Sequence, residues 1–437
     1  MQLKPAKLRA SFHTLGCRLN QAETALLSNR FRLQGYEIVS GDEPCEVCVI
    51  NSCTVTEHAD RKCRQLVKQV LRRNPDTFVA VVGCYAQVAA EALQRIPGID
   101  LIVGTQEKLN LADLIVDPVK RTTPQVVRPR PGRAPFTIAG TGLPAPTTRA
   151  NLKIQDGCDF MCSFCIIPFA RGRARSRAFD DLRREAVDLI AAGHKELVLT
   201  GVNLGTYSFA GKTFLDVVKM LLALPGLARL RISSIEPTTI PEELLELMAA
   251  SKILCPHLHV PVQSGDDGVL AAMKRLYTRA EFEALLAGVQ RRVPDAMIST
   301  DLMVGFPGES EAAFRASCDL LQNSPLAYAH VFTFSSRAGT AAARQPGQVP
   351  AAVKKERSQW LHEISEAKKM AFYRRFLGRE LRVLLEEQSD SGGWVGFSDN
   401  YIKVQVNGAP LAENELVRVR LESVQGGRAQ GTIVSQA

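Results

Sequence analysis

Through its first 115 residues the chain alternates short apolar runs with amphipathic stretches. The runs at 9–15, 47–51, 78–82 and 99–103 are rich in Val, Ile and Phe and read as strands, each leading into a turn. Strands separated by helical spacing predict a doubly wound parallel sheet, whose ligands lie beyond the carboxyl ends of its strands. The alternation resumes at 151–155 and recurs at 196–201, 230–234, 257–263, 297–305 and 329–334. Six β/α units are too few for a closed eight-stranded barrel, so a partial (β/α)6 barrel is expected, with its chemistry at the strand ends. A Lys/Arg-rich helical stretch spans 351–376. The pattern then changes to five short strands, at 380–386, 393–397, 401–406, 416–421 and 431–434. These suggest a small OB-like β-barrel, an architecture that often binds RNA. The expected fold class is therefore α/β with an all-β end. Its divisions are an α/β domain at 8–117, a linker at 118–147, the partial barrel at 148–370 and the terminal barrel at 371–437. The linker reading rests on seven prolines and five basic residues without an acidic one.

Cysteine placement turns this scaffold into chemistry. Cys158, Cys162 and Cys165 share one tight loop after the strand 151–155. Three thiolates can bind three corners of a 4Fe–4S cluster and leave one iron open, whereas structural zinc wants a fourth ligand that this loop does not supply. Cys17, Cys53 and Cys84 each end a predicted strand of the first domain, and a parallel sheet would bring them to one edge as a second set of three. Free cysteines are also common small core residues. Cys45 and Cys48 have a metal-like spacing but lie at the start of a strand, where i and i+3 face opposite ways. These two, with Cys63, Cys255 and Cys318, read as structural. Asn203, Ser233, Gln263 and Asp301 follow the barrel strands and are the candidate cofactor contacts. The glycines at 201 and at 305–308 would let backbone approach a ligand, although each of these strand-end positions taken singly reads better as an ordinary turn.

Composition narrows the class. The chain has 437 residues, is 46% hydrophobic and carries a formal net charge of +9, a pointer to an anionic partner such as RNA. It holds no run of eighteen apolar residues and no apolar leader, so a cytoplasmic protein without membrane attachment is expected. Eleven cysteines in such a compartment favour cluster ligation over disulfides. The stretch 61–73 is an amphipathic helix with six basic residues and no acidic one, suited to a phosphate backbone or simply to solvent. From 371 onward acidic and basic residues are equal in number, so RNA affinity there would depend on placement. Trp394, Phe397 and Tyr401 could stack on bases, although core filling is the better account of at least two.

The loop of Cys158, Cys162 and Cys165 resembles the signature of the radical S-adenosylmethionine (SAM) superfamily. With the three-cysteine domain before it and the β-barrel after it, the chain resembles the methylthiotransferase family along nearly its whole length. The segments that carry this resemblance include Thr14–Glu23, Asn51–Glu57, Ala59–Lys62 and Gly83-Cys84. Others are Ile154–Cys158, Arg171–Arg177, Pro261–Gly265 and Asp301–Glu309. Gly-Cys-Arg-Leu-Asn-Gln at 16–21 and Cys-Thr-Val-Thr-Glu at 53–57 resemble the branch acting on threonylcarbamoyladenosine in tRNA. Ser52 and Ala22 depart mildly from the family pattern. The turn 407–414 lacks the glycine usual before the fourth strand of the family's terminal barrel, called TRAM.

The resemblance implies SAM and two 4Fe–4S clusters, one binding SAM through Cys158, Cys162 and Cys165 and an auxiliary one on Cys17, Cys53 and Cys84. It also implies radical transfer of a methylthio group to carbon 2 of the modified adenine beside the anticodon. The tRNA anticodon arm and an electron donor such as flavodoxin or ferredoxin would be partners, with the oligomeric state left open and a monomer the default. Open alternatives are the same chemistry on isopentenyladenosine or on a ribosomal-protein aspartate, a non-catalytic iron–sulfur RNA-binding or redox-sensing protein, and a zinc-binding RNA module.

Overall fold

The computed structural model describes residues 7–138, 147–389, 392–407 and 411–436. Part of the expected linker, 139–146, and the centre of the turn at 407–414, 408–410, lie outside the described residues.

The first unit is a parallel sheet of β1 (Arg9–Thr14), β2 (Glu37–Val39), β3 (Val47–Ser52), β4 (Phe78–Gly83), β5 (Leu101–Val103) and β6 (Gln125–Val127). The strand order is β2-β1-β3-β4-β5-β6. Because side chains alternate along a strand, β3 sends Val47 and Val49 into one core and Cys48 and Ile50 into another. Helix α1 (Arg18–Leu33) covers the first face with Leu27 and Phe31, and α2 (Glu57–Arg73) covers the second with Cys63 and Val67. Thr56 caps α2 by accepting from the Ala59 amide, the role expected of a threonine at that position. The region expected as a free linker differs from that expectation. Residues 125–127 pair with β5 as the sheet's edge strand, and Phe136 bridges to Arg177. Pro124 and Pro129 flank this strand, where their missing amides cost no ladder bond.

The second unit begins with β7 (Arg149–Lys153), followed by the short pair β8 (Gln155–Asp156) and β9 (Arg175–Ser176). Then come β10 (Glu196–Thr200), the hairpin β11 (Ser208–Phe209) and β12 (Lys212–Thr213), β13 (Arg229–Ile232), β14 (His257–His259), β15 (Met297–Val304) and β16 (Tyr328–Thr333). Two three-stranded parallel sheets result, ordered β13-β10-β7 and β14-β15-β16. A bridge between Leu230 and Leu254, and the Ile235 amide donating to the His259 carbonyl at 3.0 Å, join them. The six main strands thus form an open barrel around one apolar core that includes Leu152, Leu199, Ile232, Leu258, Leu302 and Ala329.

The last unit is a closed barrel of β17 (Glu380–Gln388), β18 (Trp394–Ser398), β19 (Lys403–Asn407), β20 (Leu416–Gln425) and β21 (Arg428–Gln436). The helix Ala351–Arg374 serves two cores. Leu361 joins that of the open barrel, and Phe372 and Tyr373 join that of the closed one. Among the described residues no helix is long and apolar enough to cross a membrane.

Candidate active site between two cysteine triads

Sheet order decides the first triad. β1, β3 and β4 are neighbours, so Cys17 before α1, Cys53 after β3 and Cys84 at the start of the helix α3 (Cys84–Val88) share one edge. Gly16 makes this possible. Its φ is +95°, and a Cβ there would lie 2.7 Å from Cys53 Sγ, a position only glycine tolerates. Burial, with Cys84 and Cys17 nearby, pushes the Cys53 thiol up to about 12. Cys84 is also raised by burial, against the pull of Arg171 and Lys108.

The second triad is fixed by its backbone. Met161 adopts φ +49° between Cys158 and Cys162. Ser163 donates its amide to Met273 O at 3.0 Å and its hydroxyl to Ala272 O at 2.8 Å. Arg275 Nη1 approaches Cys162 Sγ at 3.5 Å, and the backbone amides of Phe160 and Ile167 bond the sulfurs of Cys158 and Cys165. Burial pushes Cys165 up to about 12 and raises Cys158 as well. Metal must therefore displace protons from these sulfurs. Among the described residues no three His, Cys, Asp or Glu side chains close around a single ion. Cysteines of a 4Fe–4S cluster bind different irons and need not do so. Three clamped thiols beside one guanidinium fit that group.

Each triad borders a cavity. A cleft of about 570 Å³ takes Cys17 and Arg18 from the first unit, Arg171, Thr200, Gly201, Ser233, His257 and Asp301 from the second, and Tyr401 from the third. A smaller hollow of about 180 Å³ is lined by Cys165, Phe164, Gln263 and Phe332. Val55, Ile167 and Asp301 are walls of both. The larger volume suits a nucleoside-sized ligand.

The sequence candidates separate here. Ser233 and Asp301 line the larger cleft, and Gln263, held at φ +74°, lines the smaller. His259 Nε2 lies 3.1 Å from Asp301 Oδ1. Asn203 lines neither cavity. Its amide donates to Gln155 Oε1 at 2.9 Å, and its buried side chain has no partner among the described residues. Gly201 does face the cleft, but the space beside Gly305 is filled by the Lys354 side chain and not by a ligand. Of the arginines at 171–177, Arg171 and Arg177 are buried in ion pairs, whereas Arg173 is partly exposed. Cys45 meets Ser11 Oγ at 3.1 Å, and both it and Cys48 pack in the core. Trp394 and Tyr401 both pack against the terminal barrel's core, and Tyr401 also lines the cleft, between His257 and Phe397.

Residue reasoning missed Arg275. It pairs with Glu236, donates to Pro261 O at 3.1 Å and bonds Tyr277 Oη at 2.8 Å. It thereby ties the cysteine loop to the segment 261–265. Nothing in its local sequence separates it from an exposed arginine.

Comparison with known proteins agrees with this architecture. Residues 9–104 match the model of Uncharacterized protein family UPF0004, and residues 152–321 match that of the Radical SAM superfamily. "Threonylcarbamoyladenosine tRNA methylthiotransferase MtaB" of Bacillus subtilis is 36% identical over 426 residues, 94% of this chain and 93% of that one. The protein of that name from Aquifex aeolicus is 36% identical over 418 residues, 94% of this chain and all of its own. The "tRNA-2-methylthio-N(6)-dimethylallyladenosine synthase" of Moorella thermoacetica is 32% identical over 441 residues, covering 98% and 99%. Among solved structures, the radical S-adenosylmethionine methyltransferase TsrM from Kitasatospora setae shares the fold with a TM-score of 0.54 at 16% identity, covering 77% of each chain.

Proposed function

Because the chain belongs to the radical SAM tRNA methylthiotransferases, we propose that it converts N6-threonylcarbamoyladenosine beside the tRNA anticodon to its 2-methylthio derivative. The observation that carries this reading is the shared wall of the two cavities. Val55, Ile167 and Asp301 separate a cleft bordered by Cys17 from a hollow bordered by Cys165, so the two triads face adjoining space.

SAM and a 4Fe–4S cluster belong to the family. Cys158, Cys162 and Cys165 would hold that cluster, and Cys17, Cys53 and Cys84 a second, auxiliary one. When bound, these groups supply reductive SAM cleavage to a hydrogen-abstracting radical and the sulfur to be transferred; a partner such as flavodoxin or ferredoxin would be the electron source. The chain's own contribution is placement. Arg275 fixes the second loop through Cys162 and Glu236. Arg171 fixes the first unit against the second through Glu23 and Asp156. Ser233, Gln263 and Asp301 are the proposed SAM contacts. The closed barrel, proposed as a TRAM domain, contributes Tyr401 to the cleft lining. The exposed basic side of α2 would meet tRNA phosphates. There Arg61, Arg64, Lys68 and Arg95 surround a surface hollow of about 380 Å³.

Mass spectrometry of tRNA nucleosides from cells with and without the gene tests the proposal. Loss of the methylthio mark on threonylcarbamoyladenosine alone is the expected result. Loss on isopentenyladenosine would move the substrate, and no change in any tRNA nucleoside would overturn the reading.

A further inference from the structure

Most charged groups lining the large cleft are already paired. Arg171 is answered by Glu23 and Asp156, Arg231 by Glu196, and Asp301 by His259. Arg18 is different. Its guanidinium meets the Tyr401 hydroxyl and lies 5.6 Å from that ring's centroid, and among the described residues it has no carboxylate partner. A half-buried cation facing a cleft without a counter-ion is poised for an anionic ligand.

A second observation points to the same spot. His257 is only 4% exposed, lines the cleft, and has no partner for either ring nitrogen among the described residues. Burial and Arg231 hold its pKa well below the ordinary histidine value, so it is neutral, with one nitrogen to donate and one to accept. Its ring packs 4.5 Å from that of Tyr401. Tyr401 in turn is held at φ +67°, an uncommon conformation for a tyrosine. Arg18, Tyr401 and His257 come from the three different units and meet only in this cleft.

We propose that Arg18, flanked by Tyr401 and His257, binds the free carboxylate of the threonylcarbamoyl arm on the substrate adenine. This rests on the reading of the substrate given above. The arm ends in a carboxylate, which a guanidinium can grip with two N–H groups. Its hydroxyl and carbamoyl groups are partners for a neutral imidazole. An isopentenyl arm offers none of these groups and would leave Arg18 unanswered, so the same contact discriminates between the two modified adenines.

The test uses anticodon stem-loops carrying threonylcarbamoyladenosine, its methyl ester, or isopentenyladenosine, with reconstituted full-length enzyme. Turnover and stem-loop affinity are read separately, together with the KM for SAM. Wild type should favour the free acid over the ester by about 10- to 100-fold. Arg18→Met should bring acid and ester to near equality without changing the KM for SAM, and Arg18→Lys should keep part of the preference. If wild type treats acid and ester alike, the inference falls, and that comparison needs no variant. It falls equally if Arg18→Met shifts the KM for SAM and leaves the preference intact, since Arg18 would then serve SAM. Wild type inactive on every threonylcarbamoyl stem-loop but active on isopentenyladenosine would overturn the substrate reading itself.

Discussion

Arg171 donates from Nη2 to Glu23 Oε2 at 2.9 Å, across 148 residues of sequence, with both side chains 1% exposed. Lys108 and Lys153 reach the same carboxylate, and Asp156 shares Arg171 and Lys153. Burial would raise the Glu23 carboxyl, but Arg171, Lys108 and Lys153 more than offset this and hold it well below its usual range. The network joins α1 to the loop after β8, and so sets one cysteine triad against the other.

Removing that carboxylate should be costly. Glu23→Gln leaves three buried cations with one acid among them, and breaking such a pair costs about 3–5 kcal/mol. Thermal melting should show a clear fall in Tm. A Glu23→Gln/Arg171→Met double variant should recover part of it, and strict additivity of the two losses would refute the coupling.

Arg275 should govern the cluster loop without binding metal itself. Groups that orient metal ligands typically matter by about 10- to 100-fold in affinity or activity. Arg275→Met is expected to retain iron poorly and to lower the midpoint potential in an electron paramagnetic resonance redox titration, because a positive charge 3.5 Å from Cys162 Sγ is removed.

Two separate triads predict separable iron. Cys53→Ser should reduce anaerobically reconstituted iron by about four per chain while SAM cleavage persists. Cys162→Ala should lose a similar amount together with SAM cleavage. A colourless wild-type protein carrying zinc would exclude both clusters.

Glu196 gives a pH signature. Burial raises its carboxyl, but Arg229 and Arg231 outweigh burial and bring it from 4.5 to about 2. Its charged form therefore stabilises the fold above pH 4.5, by about 3 kcal/mol, and that contribution disappears as pH falls towards 2. The pair also anchors the closed barrel, since Arg229 and Arg231 donate to the Ser398 carbonyl at 2.8 and 3.2 Å. Wild type should lose Tm steeply over that window, and Glu196→Gln should start lower and fall less.

Charge reversal on α2 should weaken tRNA binding without altering substrate preference. For Arg61→Glu with Lys68→Glu, the slope of log affinity against log salt should decrease by about 1 for each phosphate that the helix no longer neutralises. An unchanged slope would leave this face to solvent.

Much of the architecture was legible because strand signals are local. The cores of β3, β4 and β10 are nearly continuous apolar runs, and they fold where those runs lie. The edge strand β6 was missed since its three residues sit between prolines and are only partly buried. The role of Gly305 was open in the sequence because a glycine in a turn looks the same whether a ligand or the Lys354 side chain fills the space beside it.

The amino-acid sequence by itself determined the order of units, the spacing of Cys158, Cys162 and Cys165 and the family resemblance, since periodicity and ligand spacing are properties of neighbouring residues; sheet order brought Cys17, Cys53 and Cys84 to one edge. The tertiary structure alone decided which charges meet. Arg171 and Arg275 look like surface arginines in the sequence, yet each is buried against groups far away along the chain. Tyr401 looks like a base-stacking residue of a β-barrel, yet it closes a cleft beside Arg18 and His257. Periodicity tells which face of an element is buried; sheet order and docking decide what it is buried against.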